Sequence, residues 1–155
     1  MTESPTRSAH HDVFTIERTY KAPIAKVFDA WASPAFKRKW FIGPDEWTRS
    51  PHRLDFKVGG KESIAGGRAG GPLHRYDATY YDIVPDHRIV FAYDMHMDDV
   101  RISVSLATVQ LFPVATGTRL VYTEQGVFLD GYDDAGSRER GTHGLLDQLA
   151  AALAA

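Results

Sequence analysis

Residues 14–41 read FTIERTYKAPIAKVFDAWASPAFKRKWF, a strand pattern followed by two helix patterns. Its first part alternates apolar and polar side chains, because Phe14 and Ile16 are interleaved with Thr15 and Glu17. A repeat of two is typical of a strand with one buried face, so we predict a strand from Val13 onward.

The second part of the same stretch predicts two short helices. Pro23 stands where the first turn of a helix accepts proline. The apolar residues that follow are spaced three and four apart, which puts them on one helical face: Ile24, Val27, Phe28 and Trp31. Ser33 before Pro34 is typical of an N-cap followed by proline, so a second helix is expected there, ending at Gly43.

Downstream, the sequence predicts short strands joined by tight turns. The turn signals are Pro85-Asp86, Asp98-Asp99 and Thr116-Gly117. Strands are expected over 47–58 (with an interruption near Pro51), 74–84, 89–95, 101–112 and 118–125. The glycine-rich residues 58–72 are interpreted as hairpin turns and a flexible edge. The apolar phase shifts within 101–112, which predicts a bulge near Ala107.

The end of the chain predicts a helix of roughly four turns. Its apolar stripe consists of Leu145, Leu146, Leu149 and Leu153, and either Ser137 or one of the preceding loop acids is expected to cap it. The order of elements indicates an α+β protein. Its curved antiparallel sheet of about six to seven strands would wrap around the C-terminal helix, the only element long enough to cover it.

The expected organisation is one domain, residues 13–155, after a disordered polar tail, residues 1–12. The absence of cysteine excludes disulfides, thiolate metal sites and a cysteine nucleophile. The 18 basic and 20 acidic residues are dispersed, so no nucleic acid partner is expected. No stretch approaches the roughly 20 apolar residues of a membrane span. We expect a cytoplasmic monomer or homodimer without cofactor or metal.

A curved sheet around one helix leaves space that large side chains must fill or that remains as a pocket. The sequence offers many aromatic residues for such a wall, and each of them can equally be ordinary core. The candidate ligand contacts are Trp31, Trp40, Phe41, Phe56, Tyr81, Phe91, Tyr93, Val104, Tyr122 and Leu146.

Residues 14–41 resemble the opening of the SRPBCC (START/Bet v-like, helix-grip) superfamily. Further similarity lies in VPDHRIVFAYDM (84–95), ATVQLFPVATGTRLVYTEQGVF (107–128) and GTHGLLDQLAAAL (141–153). Within the superfamily, the pattern is similar to the branch of heat-shock-protein-90 ATPase activator homologues. The resemblance implies a helix-grip fold with a central cavity for lipids, polyketides or other apolar molecules. It also implies a cyclase or hydrolase, or a chaperone partner, as alternatives.

Catalytic candidates are few. Glu124 is either a surface glutamate or, if it is buried near a tyrosine or an arginine, a general base, with His96 and Arg101 as further polar groups. His96, Asp98 and Asp99 can ligate metals, but acids are common in turns. The glycine pairs lack the spacing of a phosphate-binding loop. Three functions therefore stay open: small-molecule binding, catalysis in the same pocket, and a protein-interaction module.

Overall fold

Eight strands and three helices make up the computed structural model, which describes residues 6–155. In chain order the elements are β1 (Ala9–Tyr20), α1 (Ile24–Ala32), α2 (Pro34–Lys37), β2 (Thr48–Arg49), β3 (Arg53–Leu54), β4 (Lys61–Gly67), β5 (His74–Val84), β6 (Arg88–Met97), β7 (Val100–Val114), β8 (Gly117–Leu129) and α3 (Ala135–Ala154).

All strands form one antiparallel sheet in the order β1-β8-β7-β6-β5-β4-β2, with β3 also paired to β4. Strands β4 to β8 follow one another as a meander, and β1 closes the far side against β8. The predicted α+β helix-grip architecture is confirmed.

The first strand is longer than predicted. It begins at Ala9, because residues 9–12 pair in register with residues 126–129 of β8. The expectation of a tail as far as residue 12 is therefore wrong for residues 9–12. The part of that tail formed by residues 1–5 lies outside the described residues.

Strand β4 lies inside the glycine-rich stretch, where the composition predicts turns and a flexible edge. Glu62 and Ala65 are buried on it, and residues 61–66 pair with β5. Gly60 permits a close approach to the preceding loop, because a Cβ there would lie 1.9 Å from the Asp55 carbonyl oxygen. The prediction of turns from the glycine content therefore missed a strand that carries the buried carboxylate of Glu62.

The predicted bulge near Ala107 is wrong. Strand β7 pairs with β8 in unbroken register, and the register shifts lie instead at Tyr80/Asp82 and Met95/His96. The apparent change of phase arises because Ser103 and Ser105 are polar but buried.

Helix α3 fills the concave, inner face of the sheet, and it has 20 residues, about five and a half turns. Asp134 caps it by accepting a hydrogen bond from the Ser137 backbone nitrogen at 2.8 Å, so a loop acid, not Ser137, is the N-cap. The predicted apolar stripe is confirmed, with Leu146, Leu149 and Leu153 buried. Each buried leucine stabilises the fold by about 1.5–3 kcal/mol.

Two side chains hold the C-terminal half of α3 against the N-terminal elements. The Tyr20 hydroxyl donates to the Leu146 carbonyl at 3.0 Å, and Lys26 Nζ donates to the Leu153 carbonyl at 2.8 Å. The N-terminal half of α3 is left to border the open end of the concavity. This arrangement sets the position of the candidate site.

Candidate functional site

A cavity of about 420 Å³ lies between the inner face of the sheet, α3 and the α1–α2 segment. Most of the aromatic residues singled out in the sequence line it. These are Trp31, Trp40, Phe41, Phe91, Tyr93 and Tyr122, together with Leu146 from α3. Its volume is in the range of sites for small organic molecules.

Three of the expected wall residues lie elsewhere. Phe56 packs behind the wall, edge-on to the rings of Phe28 and Tyr80. Tyr81 is 60% exposed and Val104 is 44% exposed, both on the outer face of the sheet. Tyr81 lies at the register shift of β5, and Val104 points outward because the adjacent serines of β7 take the inner face.

Glu124 is fully buried beside the cavity and is the acceptor for four side chains. Tyr93 Oη and Ser105 Oγ each donate to its Oε2 at 2.7 Å, and Arg138 Nη1 reaches the same oxygen at 3.3 Å. Tyr122 Oη donates to its Oε1 at 2.7 Å. The carboxylate therefore anchors donors from β6, β7, β8 and α3.

The tyrosines of this cluster remain protonated. Burial, followed by the nearby Glu124 charge, raises the pKa of Tyr93 above its ordinary value of 10.0. Burial, with Tyr93 and Glu124 nearby, likewise raises the pKa of Tyr122. Both phenols act as hydrogen-bond donors to Glu124 while their rings face the cavity.

Arg138 completes this cluster from the first turns of α3. Its Nη1 donates to Tyr93 Oη at 2.9 Å, and its Nη2 donates to Ser103 Oγ at 2.7 Å and to Asp133 Oδ2 at 3.1 Å. The guanidinium is 11% exposed and is committed to protein partners.

A second buried carboxylate, Glu62, anchors the opposite side. Lys37 Nζ donates to Glu62 Oε1 at 2.6 Å, and Tyr80 Oη donates to the same oxygen at 2.7 Å. Arg38 Nε donates to His52 Nδ1 at 3.2 Å, so the proton of this imidazole is assigned to Nε2, which donates to Glu62 Oε2 at 2.7 Å. Burial alone would raise the pKa of Glu62, but the Lys37 ammonium and these hydrogen bonds hold it at about 2.

The two carboxylates explain why a cavity with so many polar residues has an apolar wall. Tyr93 and Tyr122 present rings to the cavity and turn their hydroxyls toward Glu124. Lys37 Nζ lies 4.3 Å from the centroid of the Phe41 ring and donates to Glu62. Among the catalytic candidates only Glu124 belongs to this site, and sequence reasoning missed Glu62, Lys37, Tyr76 and Arg138 altogether.

Sequence reasoning missed these residues for two reasons. Lys37 and Arg138 lie on helices where charged side chains are usually solvated, and Glu62 lies in a stretch interpreted as turns. Ser103 and Ser105 were the one clue to these residues. They alternate in step with the buried side of β7, and buried hydroxyls need polar partners nearby.

The mouth of the cavity is bordered by α3 and by the loop before β2. Gly141 lines it, and a Cβ at this position would meet no atom within 4 Å. Gly144 is also on α3 and equally free of neighbours, but it does not line the cavity. The two glycines form a matched pair for blocking experiments.

His96 and Arg101 lie away from the cavity, around Asp94 on the outer face. Arg101 Nε donates to Asp94 Oδ2 at 2.9 Å, and His96 Nδ1 is 3.8 Å from the same oxygen. They do not meet Glu124 and form no common catalytic site with it. Asp77, Asp94 and His96 bring metal-capable atoms within 4.8 Å of one another. Guanidinium groups already pair with both carboxylates, however, because Arg75 Nε lies 2.8 Å from Asp77 Oδ2.

Known proteins with the same fold were identified by comparison. The family model described as "Activator of Hsp90 ATPase homolog 1-like protein" matches residues 21–154. A solved structure of a Rhizobium leguminosarum protein is 49% identical, over 96% of this chain and 97% of that chain, with a TM-score of 0.90. Protein Mll3558 of Rhizobium loti is also 49% identical, over 94% of this chain and 99% of that chain, with a TM-score of 0.88.

A more distant structure, CV1439 of Chromobacterium violaceum, is 25% identical over 91% of this chain and 96% of that chain, with a TM-score of 0.75. A search of curated proteins gave no significant match. No helix within residues 6–155 is long and apolar enough to cross a membrane.

Proposed function

The chain belongs to the family of Activator of Hsp90 ATPase homolog 1-like proteins, and we propose that it binds a small, neutral, apolar or aromatic molecule in its cavity. The observation that carries this proposal is the wall itself. Eight Phe, Trp and Tyr rings line a space of about 420 Å³, while buried carboxylates accept hydrogen bonds from the hydroxyls of Tyr93 and Tyr122 and from the Lys37 ammonium.

Apolar burial supplies the affinity. A ligand transferred from water to this wall gains about 25 cal/mol for each Å² of apolar surface removed from solvent. Ring-to-ring contacts add to this, since aromatic pairs prefer the edge-on and offset geometries that the wall rings already adopt toward one another.

The charge balance of the cavity favours a neutral ligand. Two of the three Lys and Arg side chains that line the cavity have a buried carboxylate partner, Lys37 with Glu62 and Arg138 with Glu124. The third, Arg49, donates to the Gly43 carbonyl at 2.6 Å and to Asp45 Oδ1 at 3.0 Å. An anionic ligand would lose its hydration without gaining an unpaired cation, which is costly in an apolar site. The same pairing supports binding over catalysis, because Glu124 has no oxygen left without a donor.

The experiment that tests the proposal is a fluorescence titration with the neutral apolar probe N-phenyl-1-naphthylamine. Gly141→Phe puts a ring into the mouth of the cavity, whereas Gly144→Phe adds the same ring to the same helix outside it. We expect saturable binding to the wild type, at least about tenfold weaker binding to Gly141→Phe, and binding to Gly144→Phe within about twofold of wild type. Absence of saturable binding, or equal binding by all three proteins, would contradict the proposal.

The natural ligand can be sought in the same way. Native mass spectrometry of the purified protein, followed by organic extraction, should reveal a co-purifying neutral molecule that Gly141→Phe lacks. A ligand that binds only the folded state also raises the melting temperature in proportion to the logarithm of its concentration.

A second candidate function is a protein contact through the outer face of the sheet. Val13, Val104 and Leu106 are 57%, 44% and 41% exposed. They lie on β1 and β7, the two strands that flank β8. The family's description refers to activation of the Hsp90 ATPase. If this face engages such a chaperone, Leu106→Glu should abolish stimulation of its ATPase activity while leaving probe binding in the cavity intact.

A further inference from the structure

We infer that the Tyr76 hydroxyl donates a hydrogen bond to a neutral acceptor on the ligand. The cavity therefore selects apolar molecules that bear a carbonyl oxygen, such as aromatic ketones. This inference rests on the proposed function and specifies the class of ligand. It concerns a residue that sequence analysis did not single out.

Tyr76 lies in the middle of the wall. It is paired with Ile64 of β4 and Met95 of β6, and all three line the cavity. Its ring contacts those of Phe41, with centroids 5.1 Å apart, and Tyr93, with centroids 4.9 Å apart. These contacts from both sides hold the ring in position without fixing its hydroxyl.

The Tyr76 hydroxyl differs from those of the other buried tyrosines. Tyr20, Tyr80, Tyr93 and Tyr122 each donate to a carbonyl or a carboxylate. Within residues 6–155, Tyr76 Oη forms no hydrogen bond, and it is not among the fully enclosed polar atoms that lack a partner. Because Tyr76 lines the cavity, we take this hydroxyl to be a hydrogen-bonding group within reach of a molecule bound there.

This hydroxyl is a donor across the physiological pH range. Burial, followed by the Glu62 charge and the neighbouring tyrosines, raises the pKa of Tyr76 well above 10.0. A neutral phenol offers one proton to an acceptor. Because a buried polar group gains most from a partner that replaces water, a ligand carbonyl is favoured over a plain hydrocarbon of the same shape.

Trp31 also has an unpartnered donor in the wall, but it is not suited to this role. Its Nε1 is buried, and its ring packs edge-on to Trp40 and stacks on Tyr122. A ligand would have to displace these rings to reach it. Tyr76 is the accessible donor of the pair.

Two probes of similar shape test the inference. Benzophenone and diphenylmethane differ by one carbonyl oxygen, and their dissociation constants can be measured by displacement of N-phenyl-1-naphthylamine. The informative quantity is the preference, the ratio of the diphenylmethane constant to the benzophenone constant, compared between wild type and Tyr76→Phe. Tyr81→Phe, on the outer face, is the matched control.

We expect the preference to fall about fivefold in Tyr76→Phe, the factor that a net hydrogen bond of about 1 kcal/mol provides. Diphenylmethane binding should stay within about twofold in all three proteins, and Tyr81→Phe should keep the wild-type preference. An unchanged preference in Tyr76→Phe would overturn the inference while leaving the cavity proposal intact. If the dye binds the wild type but neither probe displaces it, the inference fails as well, whereas absence of saturable dye binding would contradict the proposed function itself.

Discussion

Lys37 Nζ lies 2.6 Å from Glu62 Oε1, and neither side chain is more than 1% exposed. This ion pair is one of two buried polar anchors, and the other joins Arg138 to Glu124 on the opposite side of the cavity. Between them the wall presents rings and methylene groups. The wall is therefore apolar because the two anchors bind the polar ends of the side chains that form it.

Breaking the first anchor should be strongly destabilising. Lys37→Met removes the cation and leaves the Glu62 carboxylate buried with only neutral donors. We expect a loss of about 3–5 kcal/mol in the free energy of unfolding, measured by urea denaturation. Arg88→Met, which removes one partner of the half-exposed Arg88–Asp82 pair, should cost less than about 1 kcal/mol. Equal losses in the two variants would show that the Lys37–Glu62 pair is not buried as described.

Glu62 should make stability sensitive to acid. Its folded pKa of about 2 is below the ordinary value of 4.5, so its contribution is complete above about pH 4.5 and is lost as the pH falls toward 2. Glu62→Gln lacks this contribution. The difference in unfolding free energy between wild type and Glu62→Gln should therefore shrink by about 2 kcal/mol between pH 6 and pH 3. A difference that stays constant over this range contradicts the lowered pKa.

The tyrosines of the wall should differ in what their hydroxyls contribute to stability. Tyr122→Phe removes the only side-chain donor to Glu124 Oε1 among the described residues and should cost about 1.5–3 kcal/mol. Tyr76→Phe removes a hydroxyl without a protein partner and should change stability by less than about 0.5 kcal/mol. Thermal unfolding monitored by circular dichroism measures both. A larger cost for Tyr76→Phe would mean that its hydroxyl has a structural partner.

Two of the glycines of α3, Gly141 and Gly144, should tolerate alanine. Because a Cβ added at either glycine would meet no atom within 4 Å, Gly141→Ala and Gly144→Ala should each stabilise the helix by up to about 1 kcal/mol. Denaturant midpoints compared with wild type measure the effect. Destabilisation by Gly141→Ala alone would indicate that the mouth of the cavity is tighter than the structure shows.

The fold could be predicted from the sequence because local periodicity and tertiary burial agree over most of the chain. The spacing of Val27 and Trp31, the leucines of α3 and the turn aspartates all specify elements that the structure contains. Prediction failed at Glu62, Ser103 and Ser105, where polar residues occupy buried strand positions. These positions belong to the two anchors or lie beside them.

The candidate site could be predicted only in part for the same reason. Large aromatic residues such as Trp31, Phe91 and Tyr93 are good candidates for the cavity wall from composition alone. The periodicity of the sequence does not specify whether their polar neighbours lie on the inner or the outer face of the sheet. Val104 is apolar, so an inward position is expected for it. In the structure Ser103 and Ser105 are buried, and Val104 between them is exposed on the outer face. Contact between a helix and a strand is a tertiary property, so the sequence alone could not show that Lys37 of α2 meets Glu62 of β4.

Photolabelling with benzophenone would locate the binding site, because the excited ketone inserts into C–H bonds that it contacts. Irradiation of the complex, followed by peptide mass spectrometry, would identify the labelled residues. We predict labelling at Met95 and Leu145, which line the cavity, and its loss in Gly141→Phe but not in Gly144→Phe. Labelling confined to Val104 and Leu106 on the outer face would contradict the claim that the cavity is the binding site.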